Sequence, residues 1–238
     1  MASTTEQEDR KAAPKYPGGI PDKFDPDGKA QPFPGNTIVC HLSPSSPLYA
    51  SLLGLYAKME ASPLSRFYTL LPPASWHMTV FEGVCDKVRR PAYWPADLAI
   101  DAPLEECTAL FEQRLGAFDL ACAPPYRMKI TGLDQPFVGI GLHIEPQTDE
   151  EGVRLRRLRD RLADALGIRH PVHDEYGLHL SMAYLIRFPS DEESKALEDL
   201  FTGHIKDMAT DFELGAPEFC TFDDMFAFKR LFYLANQP

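Results

Sequence analysis

Two stretches decide how this chain folds: "HMTVFEG", His77 to Gly83, and "HLSMAYL", His179 to Leu185. Each sets a histidine, an apolar residue, a hydroxyl residue and a second apolar residue in a row. Alternation of this kind predicts a strand with two unlike faces. On the first strand Trp76, Met78 and Val80 share one face, and Ser75, His77, Thr79 and Phe81 share the other. On the second, Leu178, Leu180, Met182 and Tyr184 stand opposite Gly177, His179, Ser181 and Ala183. Each strand therefore offers an apolar face to pack under helices. The other face holds small and polar groups around an imidazole, which suits the wall of a groove.

The two stretches are related by position as well as by spelling. A shift of 102 carries His77 to His179, Met78 to Leu180, Thr79 to Ser181 and Val80 to Met182. The same shift carries Ile38 to Ile140, His41 to His143, Leu42 to Ile144 and Pro44 to Pro146. Two separate elements keep their spacing, which is the mark of an internal repeat. A third H-x-[ST] match, "HLS" at His41, stands apart because its serine already belongs to the turn "SPSSP".

Working outward, "NTIVCHL" (Asn36 to Leu42) reads as a strand and "SPSSPLYASLLGLYAKMEA" as a capped helix. "LEECTALFEQRLGAF" reads as a helix ending near Gly116. "YRMKITGL" and "FVGIGLHIEP" read as antiparallel strands joined at "LDQP". "DEEGVRLRRLRDRLADALG" is a long helix with acidic residues at its start and Gly167 at its end. "DEESKALEDLFTGHIKDM" is a further helix and "MFAFKRLFYL" a final strand. The expectation is an α+β chain with a duplicated, bilobal fold: two antiparallel-sheet lobes with outer helices around a central groove. Residues 1–33, rich in proline, glycine and charge, read as a tail or wrapping arm, and 34–238 as a single bilobal domain.

The bulk numbers limit the function. The chain has 238 residues, 44% hydrophobic and 25% charged, as in an ordinary globular protein. No apolar run is long enough to span a membrane, and the polar opening "MASTTEQEDRKAAPKYPGG" has no secretory apolar segment. Five scattered cysteines without a CxxC suit reduced thiols in a cytoplasmic or nuclear protein. A net charge of −11 argues against tracking a long nucleic acid, while a small phosphorylated ligand needs only a local set of donors. The basic run "RLRRLRDRL" carries leucines 155, 158 and 162 at helical spacing, which predicts that its arginines form a solvated helix face.

Two imidazoles facing each other across a groove suit general acid–base catalysis, one taking a proton from an attacking water while the other gives one to the leaving oxygen. A hydroxyl two residues further along each strand can donate to a phosphoryl oxygen held between them. With "HMTV" and "HLSM" in hand, the sequence resembles the 2H phosphoesterase superfamily, which carries two H-h-[ST]-h motifs in a duplicated fold. "KFDPDGKAQPFPGNTIVCHL", "FYTLLPPASWHMTVFEGV" and "FCTFDDMFAFKRLFYL" resemble its branch called domain of unknown function 1868. The resemblance implies metal-independent hydrolysis or ligation at 2′,3′-cyclic or 2′–5′ phosphodiesters of nucleotides or RNA ends. It implies His77 and His179 as the acid–base pair and Thr79 and Ser181 as phosphate anchors. The alternatives are a nucleotide-binding module without catalysis, and an isomerase or cyclase using the same groove on another small molecule.

Further candidates surround that set. Phe81 continues the His77 face, placed either to stack on a base or to close the core. Lys129 can supply charge to a phosphate or join a surface ion pair. His143 shares its strand face with two glycines that permit close approach of a ligand. Tyr68 and Tyr176 stand ahead of the motif histidines and are candidates to line the groove. "HPVH" (His170 to His173) precedes the second strand without cysteines or carboxylates at ligand spacing, so no metal and no cofactor are expected.

Overall fold

The computed structural model describes residues 14–133 and 139–235. The turn expected at "LDQP" lies outside the described residues apart from Leu133. Nine strands are present among the described residues: β1 (Gly35–His41), β2 (Tyr68–Leu70), β3 (His77–Cys85), β4 (Tyr126–Leu133), β5 (Gly139–Pro146), β6 (His179–Leu185), β7 (Asp211–Leu214), β8 (Glu218–Phe222) and β9 (Lys229–Tyr233). They form one antiparallel sheet in the order β7-β4-β5-β6-β3-β1-β8-β9, with β2 also on β6, curled as a half-barrel.

Among the described residues four α-helices accompany the sheet: α1 (Pro47–Ala61), α2 (Leu104–Gly116), α3 (Asp149–Leu166) and α4 (Asp191–Ile205). Each begins and ends where local chemistry allows. Pro47 opens α1, Thr148 caps Glu151 N–H in α3, and Ser190 and Glu193 form a reciprocal capping box on α4. Gly167 ends α3 at φ +68°, the left-handed turn that glycine adopts without penalty. The helices bury apolar stripes at helical spacing, such as Leu48, Leu52, Leu55 and Met59 on α1. These join Met78, Val80, Leu180 and Met182 from the sheet in one large core.

The two motif strands meet at the centre of the sheet through a single register pair, Met78 with Leu180. The expected two sheets are thus two halves of one continuous sheet. Positions 102 apart take up matching places: His41 pairs with His77, and His143 with His179. The register then slips at the same point in each half. Val39 faces Thr79 but Ile38 faces Phe81, and Gly141 faces Ser181 but Ile140 faces Ala183. Val80 and Met182 are therefore the extra residues of two β-bulges.

Several expectations need correction. The final strand is shorter than "MFAFKRLFYL": β9 starts only at Lys229, and a strand that the sequence pattern does not reveal, β8 at Glu218–Phe222, precedes that stretch. The short strands β2 and β7 had no clear period, having three and four residues. The arginines of α3 do not form a purely solvated face, since Arg159 is 2% exposed. Leu155, Leu158, Arg159 and Leu162 lie on one inward stripe, which carries the charges of Glu151 and Arg159 among its leucines.

Residues 14–33 include a strap across the sheet. Phe24 bridges to Ala30 and is fully buried with Leu71, Ile186, Phe222 and Met225 in a second, smaller core. One end is held where Thr69 Oγ1 donates to Gly28 O at 3.0 Å. The other is held where Phe33 N–H donates to Asp223 O at 2.8 Å and Asp86 N–H to Pro34 O at 2.9 Å. The strap thus joins the β2–β6 side to the β1–β3–β8 side. Among the described residues no helix is long and apolar enough to cross a membrane.

Candidate active site

The core-facing residues of β3 and β6 leave His77, Thr79, His179 and Ser181 on the opposite face, and all four line one cavity of about 360 Å³. Continuing the Met78–Leu180 register one residue each way sets His77 opposite Ser181 and Thr79 opposite His179. The two histidines are then diagonal neighbours, whose backbones in an antiparallel pair lie roughly 7–8 Å apart. In that register each histidine position is set opposite the other strand's hydroxyl residue.

Both rings are oriented by the same device. His77 Nδ1 lies 2.7 Å from Ser75 O, and His179 Nδ1 lies 3.2 Å from Gly177 O. A carbonyl only accepts, so each Nδ1 carries the proton and donates it. That fixes the tautomer and leaves Nε2 as the lone-pair nitrogen in the neutral ring. Ser75 and Gly177 are themselves 102 apart.

The two histidines differ in surroundings. His77 packs edge-on against Phe228, ring centroids 4.3 Å apart, and lies 5.9 Å from the ring of His41. Burial pushes the His77 pKa down to about 4; the bond to Ser75 and the Glu218 carboxylate oppose this, and the charges of His41 and His179 reinforce it. His41 in turn binds Glu218 Oε2 at 3.0 Å, and Arg230 reaches the same oxygen at 3.3 Å. His179 has Tyr176 beside it, ring centroids 6.1 Å apart. Tyr176 lines the cavity and interacts with the Thr79 hydroxyl, and burial raises its own pKa.

Phe81 does not line the cavity. It is fully buried, because the bulge at Val80 turns the following residue to the other side of the strand. The same inversion puts Glu82 in the cavity wall, and the bulge at Met182 puts Tyr184 there in place of Ala183. Tyr68 is also a core residue, 4% exposed, with its hydroxyl donating to Met59 O at 2.8 Å. Lys129 pairs with Glu145 at 3.6 Å on the surface, away from this cavity. His143 sits next to His179 on β5, but it lines a neighbouring hollow of about 260 Å³ with Arg159, Tyr176 and Gly177.

Strict alternation hid the residues after each bulge. It also hid the wall contributed by distant segments: Lys23 and Phe33 from the strap, Tyr93 from the short 3-10 helix Pro91–Tyr93, His170 from the loop after α3, and Phe228 before β9. The only trace of the bulges in the sequence was the matched pair Val80 and Met182, both apolar where the pattern continues apolar.

Two groups of side chains among the described residues have metal-ligating atoms in reach of one another: His41, Glu218 and Cys220, and Asp160, His173 and Asp174. Each already satisfies its carboxylates with an arginine. Arg230 binds Glu218, and Arg169 binds both Asp160 and Asp174. The ion pairs account for both groups. Behind the motif strands Arg159 donates to Val80 O at 2.7 Å and lies 3.2 Å from Glu82 Oε2, with its guanidinium 4.1 Å from the Tyr176 ring centre. Val80 O is the carbonyl that the bulge takes out of register, and Arg159 fills its need for a donor.

Comparison with known families finds a match over residues 23–137 to 2H-phosphodiest, Domain of unknown function (DUF1868). A solved structure, the conserved protein of unknown function ATU0111 from Agrobacterium tumefaciens strain C58, is 30% identical, with a TM-score of 0.85 over 93% of this chain and 94% of that one. The chain belongs to the DUF1868 family. The name of that family places it among 2H phosphodiesterase-like domains, in line with a phosphoesterase-type function. The family match spans the first motif and ends before the second, whereas the likeness to ATU0111 extends over nearly the whole chain. TT0787 of Thermus thermophilus is 14% identical, with a TM-score of 0.48 over 86% of this chain and 100% of that one. None of the curated proteins matches the chain.

Proposed function

We propose that this DUF1868 protein is a phosphoesterase that opens a 2′,3′-cyclic or related phosphodiester of a nucleotide or RNA end by two-histidine acid–base catalysis. The observation that carries the reading is the paired geometry. Two imidazoles with Nδ1 tied to the carbonyl two residues earlier, and two hydroxyls, line one cavity.

The surroundings of His77 support one assignment of the roles. His77, held neutral down to a pKa of about 4, takes a proton from water at Nε2 as the water oxygen bonds to phosphorus. His179, protonated at Nε2, gives its proton to the ribose oxygen as the P–O bond breaks. The product is a phosphomonoester with one free hydroxyl, and the two imidazoles have exchanged protonation states. Thr79 and Ser181 donate to the phosphoryl oxygens, which gain charge in the transition state. Every role falls on a side chain, so the reaction is proposed to run without a metal.

The matched register and matched bulges support a duplicated ancestry, with each half of the sheet one lobe and the cavity between them. The five cysteines, none in a disulfide, suit the reducing cytoplasm or nucleus. The test is turnover of nucleoside 2′,3′-cyclic phosphates by protein treated with EDTA. His77→Ala and His179→Ala should each lose at least about a hundredfold in kcat while keeping the unfolding temperature of a folded protein. Unchanged turnover in either variant would remove that histidine from the mechanism.

A further inference from the structure

The cavity wall contains one lysine or arginine, and it comes from the strap: Lys23. Its ammonium donates to Tyr184 Oη at 3.1 Å and lies 4.9 Å from the centre of that ring and 5.3 Å from the ring of Phe33. Among the described residues no carboxylate lies within ion-pair distance of it. Glu82, the one carboxylate in the same wall, is already held by the Arg159 guanidinium at 3.2 Å. An ammonium has three donors, and the tyrosine uses one. A half-buried cation between two aromatic faces, facing a cavity with donors to spare, is half of an ion pair.

We propose that Lys23 is the counter-ion for the anionic group of the ligand, and that the strap is therefore part of the binding site. The identity of that group as a phosphoryl rests on the phosphoesterase reading. The chemistry of the wall narrows the ligand further. A single ammonium neutralises about one charge, and the protein as a whole carries −11. The rest of this end of the cavity is aromatic or apolar, with Phe33, Tyr184, Phe222, Met225 and Phe228. The site thus takes a small phosphoester that carries a ring to lay on those side chains. It does not suit a polyphosphate, or an RNA segment presenting several phosphates at once.

The structure also says how the lysine is placed. Phe24, the next residue, is fully buried against Leu71, Ile186 and Met225, so Lys23 is fixed beside an anchored neighbour. Gln31 N–H donates to Lys23 O at 2.9 Å and closes the strap on itself.

The test compares a charged probe with its neutral counterpart by calorimetry: adenosine 2′-monophosphate and adenosine, on wild type, Lys23→Met and Lys23→Arg. Wild type should bind the monophosphate more tightly than adenosine. Lys23→Met should weaken the monophosphate by about ten- to a hundredfold, the range of a hydrogen bond to a charged group, and leave adenosine within about twofold. Lys23→Arg should keep most of the affinity. A merely structural lysine would weaken both probes together, and that result overturns the proposal, as does an unchanged monophosphate affinity or a wild type that binds neither probe. Catalysis is read separately: a wild type that binds through Lys23 but never turns over a cyclic phosphate would refute the reaction and leave the counter-ion standing.

Discussion

Replacing His77 by glutamine should flatten the acid side of the stability profile. In the folded chain burial, aided by the charges of His41 and His179, lowers the pKa of this imidazole from 6.5 to about 4. Unfolded, it titrates near 6.5. Between those values the unfolded state binds a proton that the folded state refuses, so stability falls as pH drops from about 6.5 to about 4 and this loss is complete below that. At 1.36 kcal/mol per unit, the shift corresponds to roughly 3 kcal/mol, and partial exposure of the ring to the cavity reduces this to about 2–3 kcal/mol. Glutamine can still donate to Ser75 O but cannot titrate. Urea unfolding of both proteins from pH 7.5 to pH 4 measures the difference. The wild type should lose about 2–3 kcal/mol more than the variant over that range. If the ring is also the base, kcat/KM of the wild type should keep its acid limb near pH 4, well below the value of a solvated histidine. Parallel stability profiles would refute the reasoning, because they would mean that the imidazole keeps its solvent in the folded chain.

Two further outcomes test the frame around the site. Arg159→Met should cost about 3–5 kcal/mol, because it strands the Glu82 carboxylate and the Val80 carbonyl, and the double change to leucine at both Arg159 and Glu82 should cost clearly less in the same urea titration. Equal costs would mean that the pair is not coupled. Gly83→Ala should be worse than Gly167→Ala although both have φ between +65° and +68°, since a Cβ at Gly83 would fall 2.1 Å from Asn36 O whereas at Gly167 the nearest atom is 3.4 Å away. We expect about 1 kcal/mol for Gly167 and at least about 2 kcal/mol for Gly83, a Tm difference of roughly 2–4 °C or more; matched melting curves would refute it.

The sequence carried the centre of this molecule because the signal there is periodic and doubled. His77, Thr79, His179 and Ser181 precede the bulges, where strand alternation still holds, and they line the same cavity. Past the bulges the period breaks, so Phe81, on the His77 face by alternation, takes the core-closing place of its two readings, while Tyr184 reads as core and is wall. A helical stripe likewise cannot announce that one of its members is an arginine paired under the sheet, as Arg159 is. Lys23 and Phe33 were beyond reach for another reason. They stand in a segment without hydrophobic period, rich in proline and glycine, whose burial depends on partners far along the chain such as Ile186 and Met225. Composition alone describes such a segment as a tail or a wrapping arm and does not say what an arm would cover.

The order of strands has a consequence for how the chain is made. β1 lies between β3 and β8, so an early strand waits for one of the last to complete its hydrogen bonds. During synthesis β1 and β3 emerge long before Glu218–Phe222 exists, and until then β1 presents an open edge of Thr37, Ile38 and Val39, a template for pairing with another nascent chain. Contacts of such long sequence separation also slow folding, since the closure of large loops precedes their reward. For this protein the exposed stage on the ribosome lasts until Glu218–Phe222 has been made, since only then can the open edge of β1 be paired.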